Sequence, residues 1–321
     1  MTRLAGALVA SGVASGVVGL LAQTPQQQQA VFRARTDIVT VHVSVKQGRM
    51  PVAGLTASDF EVRDSGIVQR IDSVSRDALP LDLTLVLTGF RSQAQAQHLQ
   101  GLGSAASVRA LVRPGDRLRI VRVNDDVRGG LVGEDYRVPT DNRTNIQIPG
   151  ISLIDGLFYA LAWPVEPDRR HLVVAFTDGY DDFSTLRPDR LPELAGHSDA
   201  VMHLVVWAQP DVRTRALPES TSVTGGAGSA GSAAGRPPPF EAREWDETNR
   251  PIIAAAERTG GTVRPSSAGA EALEQILEDF RTSYLIRYAP AGVREDGWHD
   301  LSVKITRPGT YTIRARKGYE G

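Results

Sequence analysis

The sequence predicts an α/β protein with a doubly wound, mainly parallel sheet flanked by helices, and a small β-sandwich-like domain built from both chain ends. Two observations predict the sheet: short runs rich in valine and leucine are apolar on both faces, and helical stretches lie between some of them. A third predicts the β domain, because segments of alternating polar and apolar residues occur near both ends of the chain.

Bulk composition excludes several classes of function. The chain has 321 residues, a formal net charge of -1 and no cysteine. A near-neutral charge provides no field that would attract nucleic acid or an anionic membrane, so neither is expected as a partner. The lack of cysteine excludes disulfides, thiolate zinc sites and cysteine nucleophiles.

Residues 1–22 predict a secretory signal peptide. Arg3 precedes a run of small and apolar residues that ends at Ala22, and polar residues 23–30 follow as a spacer. We therefore expect an exported protein that is periplasmic, secreted or associated with the cell envelope. The alternative is an uncleaved N-terminal anchor, because the run approaches the length that crosses a bilayer. No other stretch is apolar enough for membrane insertion.

Residues 31–78 predict the first part of the β module, and residues 284–321 predict its second part. Apolar residues recur with a period close to two in DIVTVHVSVK, and the same style returns in YLIRYAP, HDLSVKIT and YTIRARKGY. The shared style predicts that the two ends fold together. His42 lies inside the first of these strands, where we expect a solvent-facing or satisfied core residue rather than a ligand.

Residues 79–283 predict the α/β domain. The runs LTLVLT, LRIVRV, HLVVAFT and AVMHLVVWA have the composition of strands buried between two helical layers. Helices are predicted in SAASVRALV, in SLIDGLFYALAWP with Ser152 as its N-cap, and in AEALEQILEDFRTSY. Residues 209–243 are rich in glycine, serine, alanine and proline, which predicts a disordered loop inserted in the domain.

Five motifs then occur in an order that points to a family. They are GLTASDFEVRDSG, LTLVLTGFRS, RPGDRL, HLVVAFTDGYDD and RPGTYTIRARKGY, and they extend over nearly everything after residue 30. This order resembles the exported von Willebrand factor A-like proteins of the acidobacterial type. The resemblance implies a metal-ion-dependent adhesion site at the upper edge of the sheet, where oxygen ligands hold a divalent cation whose open position takes water or a partner's carboxylate.

Carried over by position, this adhesion site is degenerate. Its five ligand positions, which the family fills with Asp, Ser, Ser, Thr and Asp, fall on Thr88, Phe90, Ser92, Ile151 and Asp178. A phenyl ring and an aliphatic side chain cannot ligate a cation, and Ser152 stands beside the fourth position. We therefore expect no cofactor, with weak Mg²⁺ binding at the residual positions Ser92 and Asp178 as the alternative.

The sequence thus predicts a non-enzymatic, exported protein–protein interaction module of the adhesion type, independent of metal, with an unknown protein partner. The candidate partner-binding residues are Thr88, Phe90, Arg91, Ser92, Ser152, Asp178 and Asp181. Phe90 and Arg91 are the main candidates, because an exposed aromatic residue beside an arginine is typical of binding hot spots. Whether Phe90 points outward or packs inward is left open.

Other functions stay open at this point: a metal-dependent adhesion domain using the residual site, a passive structural protein of the cell envelope, and a hydrolase. The chain has no Gly-x-Ser-x-Gly, His-Glu-x-x-His or Walker-type motif. However, Asp82, Asp155 and Asp178 are carboxylates that tertiary structure can bring together. In TDG, Asp178 equally suits a turn, and we expect Asp181 and Asp182 to lie in a solvated loop.

Overall fold

The structure is a computed structural model. It describes residues 38–76, 79–88, 102, 108, 110–124, 127–131, 150–164, 166, 168–207, 247–266 and 268–321. Several predictions fall outside the described residues: the signal peptide at 1–22, the spacer at 23–30, the loop at 209–243, most of the helix SAASVRALV, and the site residues Phe90, Arg91 and Ser92.

The described chain consists of fifteen strands and four complete α-helices, besides short 3₁₀ turns. The strands are β1 (Val39–Gln47), β2 (Met50–Pro51), β3 (Phe60–Asp64), β4 (Ile67–Gln69), β5 (Ser73–Arg76), β6 (Leu81–Thr88), β7 (Arg117–Val123), β8 (Val127–Leu131), β9 (Arg170–Thr177), β10 (Val201–Trp207), β11 (Val263–Ser266), β12 (Tyr284–Tyr288), β13 (Trp298–Ile305), β14 (Thr312–Ala315) and β15 (Gly318–Glu320). The helices are α1 (Leu153–Ala162), α2 (Leu191–His197), α3 (Arg250–Arg258) and α4 (Gly269–Arg281).

The central sheet has the strand order β11-β10-β9-β6-β7-β8. Its first five strands pair in parallel, and only β8 pairs antiparallel, with β7. Every residue of β6 and β9 is buried, as a strand between two helical layers requires. The predicted mainly parallel sheet flanked by helices is confirmed.

Each face of this sheet has its own hydrophobic core. On one face Leu85 of β6 belongs to the same cluster as Leu273 and Ile276 of α4. On the other face Val86 belongs to a cluster with Leu157 of α1. Because successive strand residues point to opposite faces, a single apolar run supplies both cores. Each large side chain buried in this way contributes about 1.5–3 kcal/mol.

Strands from the two ends of the chain form two further sheets. One has the order β14-β1-β12-β5 with β2 paired to β1, and the other has the order β15-β13-β3-β4. The two sheets share one hydrophobic cluster, which includes Val43 and Tyr288 from the first sheet and Val62 from the second. Thr36–Gly321 forms one compact unit. The boundaries at 78/79 and 283/284, and a separate β-sandwich-like domain, therefore remain predictions.

A buried arginine joins β1 to the parallel sheet. Arg170 of β9 donates hydrogen bonds of 2.6 Å to the Phe280 carbonyl and to Ser283 Oγ. Its guanidinium also lies 3.3 Å from His42 Nδ1, and the His42 ring stacks on Phe280. Burial, with the positive charge of Arg170, holds the pKa of His42 well below its usual value. His42 is therefore a core residue.

Among the described residues, none of the helices combines the length and the apolar character needed to cross a membrane.

Candidate functional site

The candidate site lies at the carboxyl edge of the parallel sheet. β6 ends at Thr88 and β9 ends at Thr177, and the two strands are parallel neighbours with Leu87 opposite Phe176. The Ser152 backbone N–H donates a 2.7 Å hydrogen bond to the Asn124 carbonyl, which fixes the start of α1 beside the end of β7. Four predicted site residues therefore occupy this edge: Thr88, Ser152, Asp178 and Asp181.

Two of the predicted positions are closed to a partner. Thr88 is only 4% exposed, and its hydroxyl donates to the Phe176 carbonyl at 3.2 Å. Ser152 is 2% exposed. It occupies the predicted N-cap position of α1, but its side chain makes no capping hydrogen bond. The predicted N-cap position of Ser152 is therefore confirmed, but its hydroxyl does not supply the cap hydrogen bond.

The cap of α1 comes instead from the loop after β9. Asp182 Oδ1 accepts a 2.7 Å hydrogen bond from the Ile151 N–H, and the Asp182 N–H donates back to the Ile151 carbonyl at 3.0 Å. Asp181 Oδ1 accepts from the Ile154 N–H at 3.2 Å and from Ser184 Oγ at 2.5 Å. Asp181 and Asp182 are exposed, as expected for a solvated loop, but Asp181 also satisfies an N–H of the first helical turn, and Asp182 fixes the residue before the N-cap.

Asp155 of α1 also forms hydrogen bonds with the loop. Ser184 Oγ accepts from the Asp155 N–H at 3.1 Å. The Asp155 carboxylate in turn accepts from the backbone N–H groups of Thr185 at 3.0 Å and Leu186 at 2.8 Å. We call the hydrogen bonds between residues 151–155 and 181–186 the reciprocal cap. It fixes the backbone of this loop against the first turn of α1.

The fixed loop exposes three large apolar side chains. Tyr180 is 47% exposed, Phe183 51% and Leu186 45%, and we call these three residues the apolar patch. Phe183 packs over Gly150, where an added Cβ would collide with its ring. We did not predict the patch from the sequence. The signal was present in DGYDDFSTL, where apolar residues alternate with acidic and polar ones after a buried strand.

Beside the patch lies an open groove of about 530 Å³. It is lined by Val127, Asp155, Phe158, Tyr159, Ala162, Leu186 and Leu194. Leu186 belongs to both the groove and the patch. Asp155 is the only charged residue of this lining, so the groove combines an apolar surface with a single carboxylate.

Asp178 serves as a turn residue in the structure. It is 7% exposed, and its Oδ1 accepts from the Tyr180 N–H at 3.2 Å. The following Gly179 has a φ of +84°, and its N–H donates to Thr177 Oγ1 at 2.9 Å. This arrangement matches the turn alternative that the sequence left open for TDG.

The described residues do not fit a divalent cation at this edge. A hard cation needs several oxygen ligands, but Ile151 is fully buried and has no side-chain oxygen, and Thr88 offers only a buried hydroxyl. Asp178 is the one carboxylate among the described ligand positions. Within the described parts of the chain, no three His, Asp or Glu side chains are grouped so that they could hold a metal ion.

Of the carboxylates considered for hydrolysis, Asp82 lies apart from Asp178. Asp82 lies at the amino end of β6, six residues before Thr88, and therefore about 20 Å from the edge that holds Asp178. Its Oδ1 lies 3.5 Å from the Arg119 guanidinium, and both side chains are buried. Burial, followed by the charge of Arg119, lowers the pKa of neighbouring His171 to about 4. Asp82 thus belongs to a polar core.

Scans against protein-family models and against curated proteins found no match. Solved structures of low similarity include proximal thread matrix protein 1 from the mussel byssus with a zinc-occupied MIDAS motif, at 11% identity and a TM-score of 0.37 over 64% of this chain. The chain spans about half, 48%, of that protein's length.

Two further structures are similar at the same level. BatB from Bacteroides thetaiotaomicron has 11% identity and a TM-score of 0.39, with 62% of this chain and 98% of that chain covered. The SpRpn10 VWA domain has 13% identity and a TM-score of 0.31, with 61% and 95% covered. Likenesses at such identities and TM-scores assign no function to this chain.

Proposed function

We propose that the chain is an exported, non-enzymatic protein-interaction module of the von Willebrand factor A-like type, which binds a protein partner at the carboxyl edge of its parallel sheet without a metal ion. The exposure of Tyr180, Phe183 and Leu186 on a fixed loop carries this proposal. Large apolar side chains that share an exposed loop are candidates for an interaction site, and aromatic residues are enriched at binding hot spots.

The reciprocal cap supports binding in a second way. A loop that is already ordered loses little conformational entropy when it meets a partner. The Asp155 carboxylate holds two backbone N–H groups of the loop. Asp181 holds one N–H of the first turn of α1, and Asp182 holds the Ile151 N–H just before the helix. The apolar patch is therefore presented in one arrangement rather than in many.

The proposed absence of a metal ion rests on the small number of charged oxygen ligands at this edge of the sheet. The resemblance implies five ligand positions, and the described ones offer a buried Thr88 hydroxyl, an apolar Ile151 and the Asp178 carboxylate. These supply too few charged oxygens for Mg²⁺. A metal-dependent adhesion domain is the alternative, and it would require a cation held chiefly by water.

Two further parts of the proposal have separate support. The absence of a catalytic role is supported by the separation of Asp82 from Asp178 across the length of β6. Export is supported by residues 1–22 in the sequence alone. A passive structural role in the cell envelope is the remaining alternative, and it would assign no purpose to the apolar patch.

Site-specific crosslinking tests the interaction. The full chain would carry a photoreactive residue in place of Tyr180 or, as the control, in place of Asp168, which is exposed just before β9 at the opposite edge of the sheet. We expect discrete adducts with cell-envelope protein from position 180 alone. Leu186→Ser should abolish them, and Met50→Ser, which removes an exposed apolar residue from β2, should not. Adducts of equal yield at both positions would contradict the proposal.

Calorimetric titration tests metal independence. We expect no binding heat when the full chain is titrated with Mg²⁺, Ca²⁺ or Mn²⁺. Micromolar binding that Asp178→Ala abolishes would show that the residual site holds a cation, and the metal-dependent alternative would then replace this part of the proposal.

A further inference from the structure

We propose that the partner segment is cationic: an arginine or lysine side chain enters the groove beside α1, and apolar neighbours of that residue pack on the apolar patch. This inference rests on the proposed function and specifies the chemistry of the partner. It also reverses the charge that the family resemblance implies, because a bound cation would take a carboxylate from the partner.

The groove itself selects for this kind of side chain. Its walls are apolar except for Asp155, and the half-buried rings of Phe158 and Tyr159 contribute to the lining. Arginine and lysine combine an apolar stem with a charged head. The stem matches the walls, and the head matches the Asp155 carboxylate and the faces of aromatic rings.

The Asp155 carboxylate retains capacity for this contact. Its two oxygens accept one backbone N–H each, from Thr185 and Leu186. A carboxylate has about four lone-pair sites, so the two hydrogen bonds leave acceptor positions for an incoming cation. Among the described residues, no basic side chain forms an ion pair with Asp155, and its own loop and helix turn contain no lysine, arginine or histidine.

The surroundings carry the same sign of charge. Residues 150–155 and 178–186 contain no lysine, arginine or histidine, and their carboxylates include Asp155, which lines the groove, and Asp181. Asp181 is exposed next to the patch. Complementary charge around an apolar centre favours a cationic partner and disfavours an acidic one.

The basic residues that follow the patch do not offset this charge. Arg187 lies 2.7 Å from Asp189, and Arg190 lies 2.8 Å from Glu193, so each arginine is paired with an acidic neighbour. These two ion pairs add no net charge.

Selection from short random peptides displayed on phage tests the inference. The target is the immobilised full chain, with counter-selection on Leu186→Ser, in buffers containing either EDTA or Mg²⁺. We expect enriched peptides to carry arginine or lysine beside leucine, phenylalanine or tryptophan, with the same preference in both buffers. Enrichment of acidic or uncharged peptides would overturn the cationic partner and leave the proposed function standing. Failure of any peptide to distinguish the chain from Leu186→Ser would count against the proposed function itself.

Two matched variants test the charge of the groove without touching the reciprocal cap. Ala162 lines the groove and is exposed at the last position of α1. We expect Ala162→Lys to weaken the affinity for a selected peptide about two- to fivefold and Ala162→Glu to strengthen it by a similar factor. Both effects should shrink at high salt. Equal effects of the two substitutions would overturn the proposal.

Asp155→Asn removes the groove's charge and keeps one oxygen acceptor for the loop. We expect it to lower affinity for a selected peptide at least about tenfold, because the partner's cation loses its counter-charge. The thermal unfolding curve of the variant shows whether the fold is intact, and the Ala162 pair decides the question if it is not. Unchanged affinity in a folded Asp155→Asn variant would overturn the proposal.

Discussion

The Leu186 backbone N–H donates a 2.8 Å hydrogen bond to Asp155 Oδ1, joining the first turn of α1 to a residue 31 positions away. The same leucine exposes 45% of its surface in the apolar patch and lines the groove. One carboxylate therefore positions the loop and also places a negative charge beside its apolar side chains. The order of the loop and the charge that it presents to a partner therefore both depend on Asp155.

Asp155→Ala should loosen the loop after β9. The substitution removes the acceptors for the Thr185 and Leu186 N–H groups, and each lost hydrogen bond costs about 1 kcal/mol. Hydrogen exchange followed by mass spectrometry should show faster exchange of these two amides, with little change in β6. The control Glu193→Ala removes an exposed carboxylate that pairs with Arg190. Unchanged exchange at Thr185 and Leu186 would contradict the reciprocal cap.

Gly150→Ala should reduce partner binding with little loss of stability. An added Cβ would collide with the Phe183 ring, which is half exposed and is therefore free to move away. We expect the free energy of unfolding to change by less than about 1 kcal/mol, while crosslinking from position 180 falls. Gly130→Ala on β8 is the control, because no atom lies within 4 Å of the added Cβ. Normal crosslinking by Gly150→Ala would show that the position of Phe183 does not matter.

The central sheet was predictable because short segments of the sequence are enough to identify its buried strands. LTLVLT and HLVVAFT are apolar on both faces, and only a strand between two helical layers buries such a run completely. The start of α1 was predictable for the same reason, since Ser152 is a residue type that favours helix N-termini. The edge where the predicted site residues meet follows from the parallel order of the strands.

The reciprocal cap and the apolar patch were not predictable because their determinants are distant in sequence. Asp181 accepts a hydrogen bond from Ile154, which lies 27 residues earlier, so no local rule connects the two residues. A serine at the N-cap position gave no sign that its hydroxyl would make no cap hydrogen bond. The position of Phe183 depends on its packing over Gly150. A sequence pattern does not show which aromatic ring packs against a glycine that is distant in sequence.

Asp64 should be one of the most sensitive positions of the β strands. It is fully buried, and Oδ2 accepts hydrogen bonds of 2.8 Å from the hydroxyls of Tyr288 and Tyr319, while His299 Nδ1 lies 2.9 Å from Oδ1. Asp64→Ala leaves several buried donors without an acceptor. We expect it to lower the free energy of urea unfolding by about 3–5 kcal/mol. Tyr288→Phe, which removes one donor, should cost about 1 kcal/mol.

The same cluster predicts behaviour at high pH. Burial, followed by the hydrogen bond to Asp64, raises the pKa of Tyr288 and of Tyr319 above the ordinary phenol range. The unfolded chain releases these protons near pH 10, and the folded chain retains them. The stabilising contribution is therefore complete below pH 10 and is lost as the pH rises further. Ultraviolet titration should show two tyrosines that ionise only on unfolding; their ionisation in the folded chain would contradict the cluster.

His171 should make the protein less stable in mild acid. Burial, followed by the positive charge of Arg119, lowers its pKa to about 4. The unfolded chain takes up this proton below about pH 6.5, whereas the folded chain resists it until about pH 4. The stabilising contribution is therefore present above pH 6.5 and declines by about 1.4 kcal/mol for each pH unit between these limits.

His171→Gln removes the titrating group, so its free energy of urea unfolding should fall less steeply between pH 6.5 and pH 5 than that of the wild type. Identical slopes for the two proteins would show that His171 accepts its proton equally well in the folded and unfolded chains, and the polar core around Arg119 would then have to admit water.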